Sequence, residues 1–96
     1  MAPTALIADD EPKLAQDLAL RLKQLWVELE IVAVVPNGIQ AVSELNRLRP
    51  QYAFLDIRMP GLSGLEAARA ATGTRVVFVT AHDEYAIAAF DAAAAD

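Results

Sequence analysis

Acidic residues stand directly after two apolar runs of this sequence. Residues 4–8 stop at Asp9 and Asp10, and residues 53–55 stop at Asp56. Carboxylates crowded together repel one another unless a cation joins them. Oxygen ligands without His or Cys favour a hard ion, Mg²⁺ or Mn²⁺. Beside such an ion, an ionised aspartate can attack a phosphoryl group and form an acyl phosphate.

Short β-like runs alternate with helix-like segments along the chain. Near-continuous apolar strands joined by helices are typical of a parallel sheet covered on both faces, so the pattern predicts a doubly wound parallel α/β domain. The carboxyl ends of such strands meet at one edge, where Thr80 should join the acids. The predicted strands cover 4–8, 31–35, 53–57 and 76–79, and the predicted helices begin at Pro12, begin after Gly38, and cover 62–71 and 85–94.

Two of the predicted helices have an apolar face that should pack on the sheet. In the first, the helical period selects Leu14, Leu18, Leu22 and Leu25, and Trp26 near its end should be partly buried. In the second, the inward residues are Ala41, Val42, Leu45 and Leu48.

Each candidate site residue also has an ordinary structural explanation. Asp9 or Asp10 could cap the helix that follows. Asp56 could be a turn residue before Pro60, and threonine at the end of a strand, as at Thr80, is common. The combination of all of them at three strand ends favours a functional site.

Composition excludes several classes of protein. The 96 residues, 55% hydrophobic and 22% charged, fit one globular domain covering 1–96. A net charge of −5 argues against direct nucleic acid binding, and the absence of cysteine excludes thiol chemistry. No long apolar segment indicates a leader or a membrane span, so a cytoplasmic protein is expected.

Three motifs resemble the receiver domain of two-component response regulators. They are IADDEP at 7–12, FLDIRMPGLSG at 54–64 and VFVTAHDEYA at 77–86. The last, extended to residue 96, resembles the subgroup that carries a LytTR-type DNA-binding domain downstream. The resemblance implies a flavodoxin-like receiver fold and a role in transcription regulation.

The resemblance also implies a role for each matching residue. Asp56 would accept a phosphoryl group from a sensor histidine kinase. Direct Mg²⁺ ligands would be Asp10, Asp56 and the backbone carbonyl of Arg58, with Asp9 acting through water. Such a protein is no enzyme beyond Mg²⁺-dependent self-phosphorylation and dephosphorylation of its aspartate.

Four further positions match the family pattern. Thr80 would be the switch hydroxyl and Ala81 the small residue beside the phosphoryl oxygens, while Pro60 and Gly64 would form the turn and helix start after the acceptor. The family's fifth strand, with an aromatic residue and a lysine, would begin where the sequence stops at Asp96. The expectation is a receiver lacking its last βα unit.

Loss of that unit would have two expected effects. Without the lysine, phosphorylation of Asp56 should be slow or uncoupled from a switch. Without the fifth strand, residues 75–80 would form an exposed apolar edge, so we expect a homo-oligomer formed through the fourth strand and the fourth helix.

Other functions remain open on the residues alone. One is a dimerisation or interaction module that no longer switches. A phosphatase with an aspartate nucleophile is less favoured, because Arg58 stands where such enzymes need a second acid. A dinucleotide binder is less favoured still, because the first strand leads into Asp-Asp-Glu-Pro rather than a glycine-rich turn.

Overall fold

The computed structural model describes residues 2–79 as a parallel sheet with helices on both faces. The four strands lie in the order β2-β1-β3-β4, and every adjacent pair is parallel. The predicted doubly wound α/β fold is confirmed. The predicted fourth helix lies outside the described residues. The elements are β1 (Thr4–Ala8), α1 (Pro12–Leu25), β2 (Glu30–Val35), α2 (Gly38–Leu48), β3 (Tyr52–Asp56), α3 (Gly64–Ala68) and β4 (Arg75–Val79).

Alternate residues of the central strands enter two separate hydrophobic clusters. Leu6 and Leu55 pack on one face of the sheet, against residues of α2 and α3. Ile7 and Phe54 pack on the other face, with Ala15 of α1. Leu6, Ile7 and Leu55 are fully buried, and burying a side chain of this size stabilises the fold by roughly 1.5–3 kcal/mol. Both faces of β1 and β3 are therefore covered, which explains why these strands are apolar throughout.

The predicted apolar face of α1 is partly wrong. Leu25 is 86% exposed and Leu14 is 43% exposed, although Leu18 and Leu22 do pack against the sheet. The helix instead buries Ala15, and Ala19 also packs there. The small alanine side chains let the helix backbone approach the strands, and the leucines on either side are left nearer to solvent.

The predicted burial of Trp26 and of the inward face of α2 is confirmed. Trp26 is partly buried and packs edge-to-face on Tyr52, with ring centroids 5.0 Å apart. In α2, Ala41 and Leu45 are buried, and Val42 and Leu48 are partly buried.

The start of α2 has a cap that the sequence pattern did not reveal. The side chain of Asn37 accepts a hydrogen bond of 2.8 Å from the amide of Gln40. This bond satisfies one of the amides that have no partner within a helix, and it fixes the direction in which the chain enters α2.

Helix α3 is shorter than the predicted span of 62–71. Ser63 and Glu66 form a capping box, each side chain accepting from the other residue's amide, so the helix cannot include Leu62. After Ala68 the backbone amides donate to carbonyls three residues earlier, as the amide of Ala71 does to the carbonyl of Ala68. The α-helix therefore ends in a tighter turn.

The edges of the sheet are β2 and β4 within residues 2–79. Among the described residues, no helix is long and apolar enough to cross a membrane.

The burial of two nearby leucines predicts opposite responses to truncation. Leu29 is fully buried and Leu25 is 86% exposed. We expect Leu29→Ala to lower the free energy of unfolding by about 2–5 kcal/mol. The matched change Leu25→Ala should alter it by no more than about 0.5 kcal/mol. Urea unfolding measures both, and equal losses would contradict the different burial of these two leucines.

Candidate metal and phosphoryl site

Three carboxylates meet at the carboxyl ends of β1 and β3. Asp9 and Asp10 follow β1, and Asp56 is the last residue of β3. These strands are adjacent and in register at Ala8 and Leu55. One oxygen from each carboxylate lies within 4.8 Å of the others. The structure thus brings together the three acids that the sequence placed at one edge.

Asp9 is held rigidly at this edge. It is only 8% exposed, and its amide donates to the carbonyl of Val35 over 3.0 Å. Its Oδ1 accepts a 2.9 Å hydrogen bond from the amide of Glu11. One of its oxygens is thus occupied by a turn that precedes α1.

Asp10 differs from Asp9 in its surroundings. It is exposed, and its side chain makes no hydrogen bond to other residues of the part that the structure describes. The cap residue of α1 is Glu11, without a side-chain cap bond. The alternative that Asp9 or Asp10 caps α1 is therefore wrong, although Asp9 accepts a hydrogen bond from the amide of Glu11.

The surroundings of Asp56 raise the pKa of its carboxyl group. Its pKa is raised from 3.8 to about 6, first by burial and then by repulsion from Asp9, with a smaller contribution from Asp10. The amide of Arg58 opposes the shift by donating to Oδ1 over 3.4 Å. Ionised Asp56 is thus less stable here than an aspartate in water.

The loop after Asp56, residues 57–63, turns the chain sharply away from the site. Gly61 has a φ of +80°, a conformation that favours glycine. The amide of Gly64 donates back to the carbonyl of Ile57 over 2.9 Å. A Cβ on Gly64 would overlap the carbonyl oxygen of Asp56. The sequence marked Gly64 only as the start of a helix, but its small size lets α3 begin directly against β3.

The chemistry of the three acids fits a divalent cation. Within residues 2–79 no basic side chain forms a salt bridge with any of them. Crowded oxygen donors without a balancing charge are what Mg²⁺ or Mn²⁺ binds best. The side chain of Arg58 is exposed, and ligation by its carbonyl stays a prediction. Thr80 and Ala81 lie outside the described residues.

A family model for the response regulator receiver domain matches residues 5–96. The chain belongs to this family. Two curated relatives are also similar over nearly the whole chain. An uncharacterized response regulatory protein of Vibrio cholerae is 46% identical over 97% of the chain. The transcriptional regulatory protein BtsR of Escherichia coli is 40% identical over 95% of it. The chain spans 37% and 39% of the length of these two relatives.

Solved receiver structures share the fold. The receiver domain of the putative response regulator NarL from Mycobacterium tuberculosis superposes with a TM-score of 0.75 at 32% identity, over 90% of this chain and 72% of that one. The receiver domain of AraT from Geobacillus stearothermophilus gives 0.78 at 26% identity, over 92% and 71%. The flavodoxin-like receiver fold is confirmed.

The raised pKa of Asp56 predicts a pH-dependent gain from Asp56→Asn. The folded receiver holds this proton more tightly than the unfolded chain, so the wild type loses stability as pH rises from 3.8 to about 6. The asparagine variant does not lose stability in this way, because its side chain does not ionise. In metal-free buffer at pH 7 it should be more stable by on the order of 1 kcal/mol, a value reduced to allow for solvent screening. The gain should vanish below the unfolded pKa.

Urea unfolding of the metal-free protein measures this difference. A series from about pH 3.5 to about pH 7.5 spans the titration of Asp56 in both the unfolded and the folded state. Asp17→Asn removes the same charge from an exposed position of α1 and serves as the control. A gain from Asp56→Asn that is constant with pH, or equal to that of the control, would contradict the electrostatics described for the site.

Proposed function

We propose that this receiver accepts a phosphoryl group on Asp56 from a sensor histidine kinase, with Mg²⁺ or Mn²⁺ bound at the three carboxylates. The observation that carries the proposal is the convergence of the Asp9, Asp10 and Asp56 oxygens within 4.8 Å. Asp56 is the last residue of a strand whose three preceding residues are buried.

The reacting groups of the proposed transfer are an ionised Asp56 and a phosphohistidine, with the divalent cation beside them. A carboxylate oxygen of Asp56 attacks the phosphorus atom, the phosphorus–nitrogen bond breaks, and the imidazole nitrogen keeps the electron pair and later takes a proton. The bound cation would supply positive charge to the phosphoryl oxygens and lower the pKa of Asp56. The amide of Arg58, already directed at Oδ1 of Asp56, helps to fix the orientation of the carboxylate.

The other roles in the proposal come from the family pattern. Asp10 and the carbonyl of Arg58 would bind the cation together with Asp56, and Asp9 would act through water. Thr80 would respond to the phosphoryl group as the switch hydroxyl, with Ala81 leaving room beside it. The receiver would be no enzyme beyond making and losing its own aspartyl phosphate.

The output would be control of transcription. A relative, BtsR of Escherichia coli, is a transcriptional regulatory protein. The net charge of −5 of this chain argues that DNA would be bound by another domain. A LytTR-type domain is the proposed reader. The exchange with the kinase would take place in the cytoplasm.

Labelling with acetyl phosphate tests the proposal. We expect slow, Mg²⁺-dependent addition of one phosphoryl group to the wild type, and none to Asp56→Asn, because the amide is not a nucleophile at phosphorus. Intact-protein mass spectrometry measures the addition. Asp17→Asn should be labelled like the wild type.

The same experiment separates signalling from the alternative of a module that no longer switches. Absence of labelling in the wild type at saturating Mg²⁺ would contradict the proposed function and favour the interaction module. Labelling that persists in Asp56→Asn would place the acceptor elsewhere.

Self-association stays a separate prediction. Strand β4 is an edge strand within residues 2–79 and its residues Val76–Val79 are only half-buried. An apolar edge of this kind can pair with a second copy. We expect light scattering at increasing concentration to show a dimer. A strictly monomeric mass would contradict the predicted homo-oligomer.

A further inference from the structure

The first turn of α2 lies directly against the loop of residues 57–63. Gly38, the first residue of α2, is buried. A Cβ at this position would overlap the carbonyl oxygen of Leu62 and lie 2.7 Å from its Cβ. Beside it, Cδ1 of Ile39 is 3.1 Å from the place of a Cβ on Gly61. The helix and the loop therefore meet without room for one additional methyl group.

The same loop is held at its other side by the end of β3. Gly64 packs on the carbonyl group of Asp56, and its amide binds the carbonyl of Ile57. The loop thus has fixed points at both ends. Arg58, whose amide faces the Asp56 carboxylate, lies between them.

The helix that contacts this loop is itself firmly placed. Ala41 and Leu45 are buried against the sheet, and the Asn37 side chain fixes the first turn by accepting from Gln40. A helix anchored in this way can transmit a displacement at Gly38 to the loop more readily than it can absorb one.

We infer that the first turn of α2, through Gly38 and Ile39, is a positioning element for the Asp56 site. It holds the 57–63 loop in the position that keeps the backbone of Arg58 beside the Asp56 carboxylate. The inference rests on the proposed function where it takes the backbone carbonyl of Arg58 as a ligand of the cation. Gly38 would act through the loop, since the three atoms nearest to a Cβ at this position all belong to Leu62.

The test uses Gly38→Ala in the whole chain. The added methyl group should push Leu62 outward and shift the loop. Two-dimensional ¹H–¹⁵N NMR of the metal-free protein should show displaced amide resonances of Arg58 and Gly61. A Mg²⁺ titration of the same samples should give about tenfold weaker binding, the loss typical when a group that supports a metal ligand is disturbed.

A control variant separates positioning from simple loss of stability. Thr4→Val removes the hydroxyl that accepts a 3.1 Å hydrogen bond from the amide of Gln51, at the opposite end of the sheet. It should lower the melting temperature and leave the Arg58 amide resonance and the Mg²⁺ affinity unchanged. If Gly38 matters only for packing, Gly38→Ala should behave as Thr4→Val does, and the inference is wrong.

A second pair of variants covers the case in which Gly38→Ala does not fold. Ile39 is 63% exposed, so Ile39→Ala should fold and still loosen the loop at Gly61, weakening Mg²⁺ binding. Leu20→Ala, at a position 61% exposed on α1, is the matched control. Unchanged affinity in Ile39→Ala would overturn the inference. If the wild type itself binds no Mg²⁺, the proposed function fails, and the metal-free resonances of Arg58 and Gly61 still decide the positioning role.

Discussion

The packing that holds the ends of β1 and β3 together is the constraint on which the rest of this receiver depends, because it keeps three carboxylates within 4.8 Å of one another. Asp9 is tied to β2 through the carbonyl of Val35, and Asp56 remains paired with Val79 of β4. Neither can move away from the other without breaking sheet hydrogen bonds. The burial of Leu6 and Leu55 holds β1 and β3 in register, so hydrophobic packing keeps like charges together. A divalent cation would remove the resulting electrostatic penalty without any change of fold.

The packing around the site depends on two glycines, which have no side chain. Gly64 and Gly38 allow backbone groups to approach the loop from two sides. Larger residues would separate the loop from β3 or from α2. The acids therefore determine which ligand the site can hold, and the glycines determine where the loop beside them lies. These two requirements meet at Arg58, which is two residues from Asp56 and four from Leu62.

The sequence predicted the parallel sheet and the meeting of the acids because both follow from short-range patterns. Apolar strands with turns after them mark the strand ends, and parallel topology brings those ends to one edge. The face of α1 was predicted less well, because a hydrophobic period gives leucine more weight than Ala15, although the smaller residue fits closer to the sheet. The contact between Gly38 and Leu62 joins residues far apart in sequence, and a glycine alone does not reveal what it touches.

The different surroundings of Asp9 and Asp10 also bear on how the two acids could share a cation. Asp9 already uses Oδ1 to accept from Glu11, so turning that oxygen toward a metal would leave an amide without its partner. Asp10 is exposed and has no comparable bond within residues 2–79, so its carboxylate can rotate at little cost. In the proposed function, direct ligation by Asp10 with Asp9 acting through a water molecule would leave the bond between Asp9 and Glu11 intact. The buried acid would then contribute mainly a fixed negative charge, and the exposed one would supply the adaptable ligand.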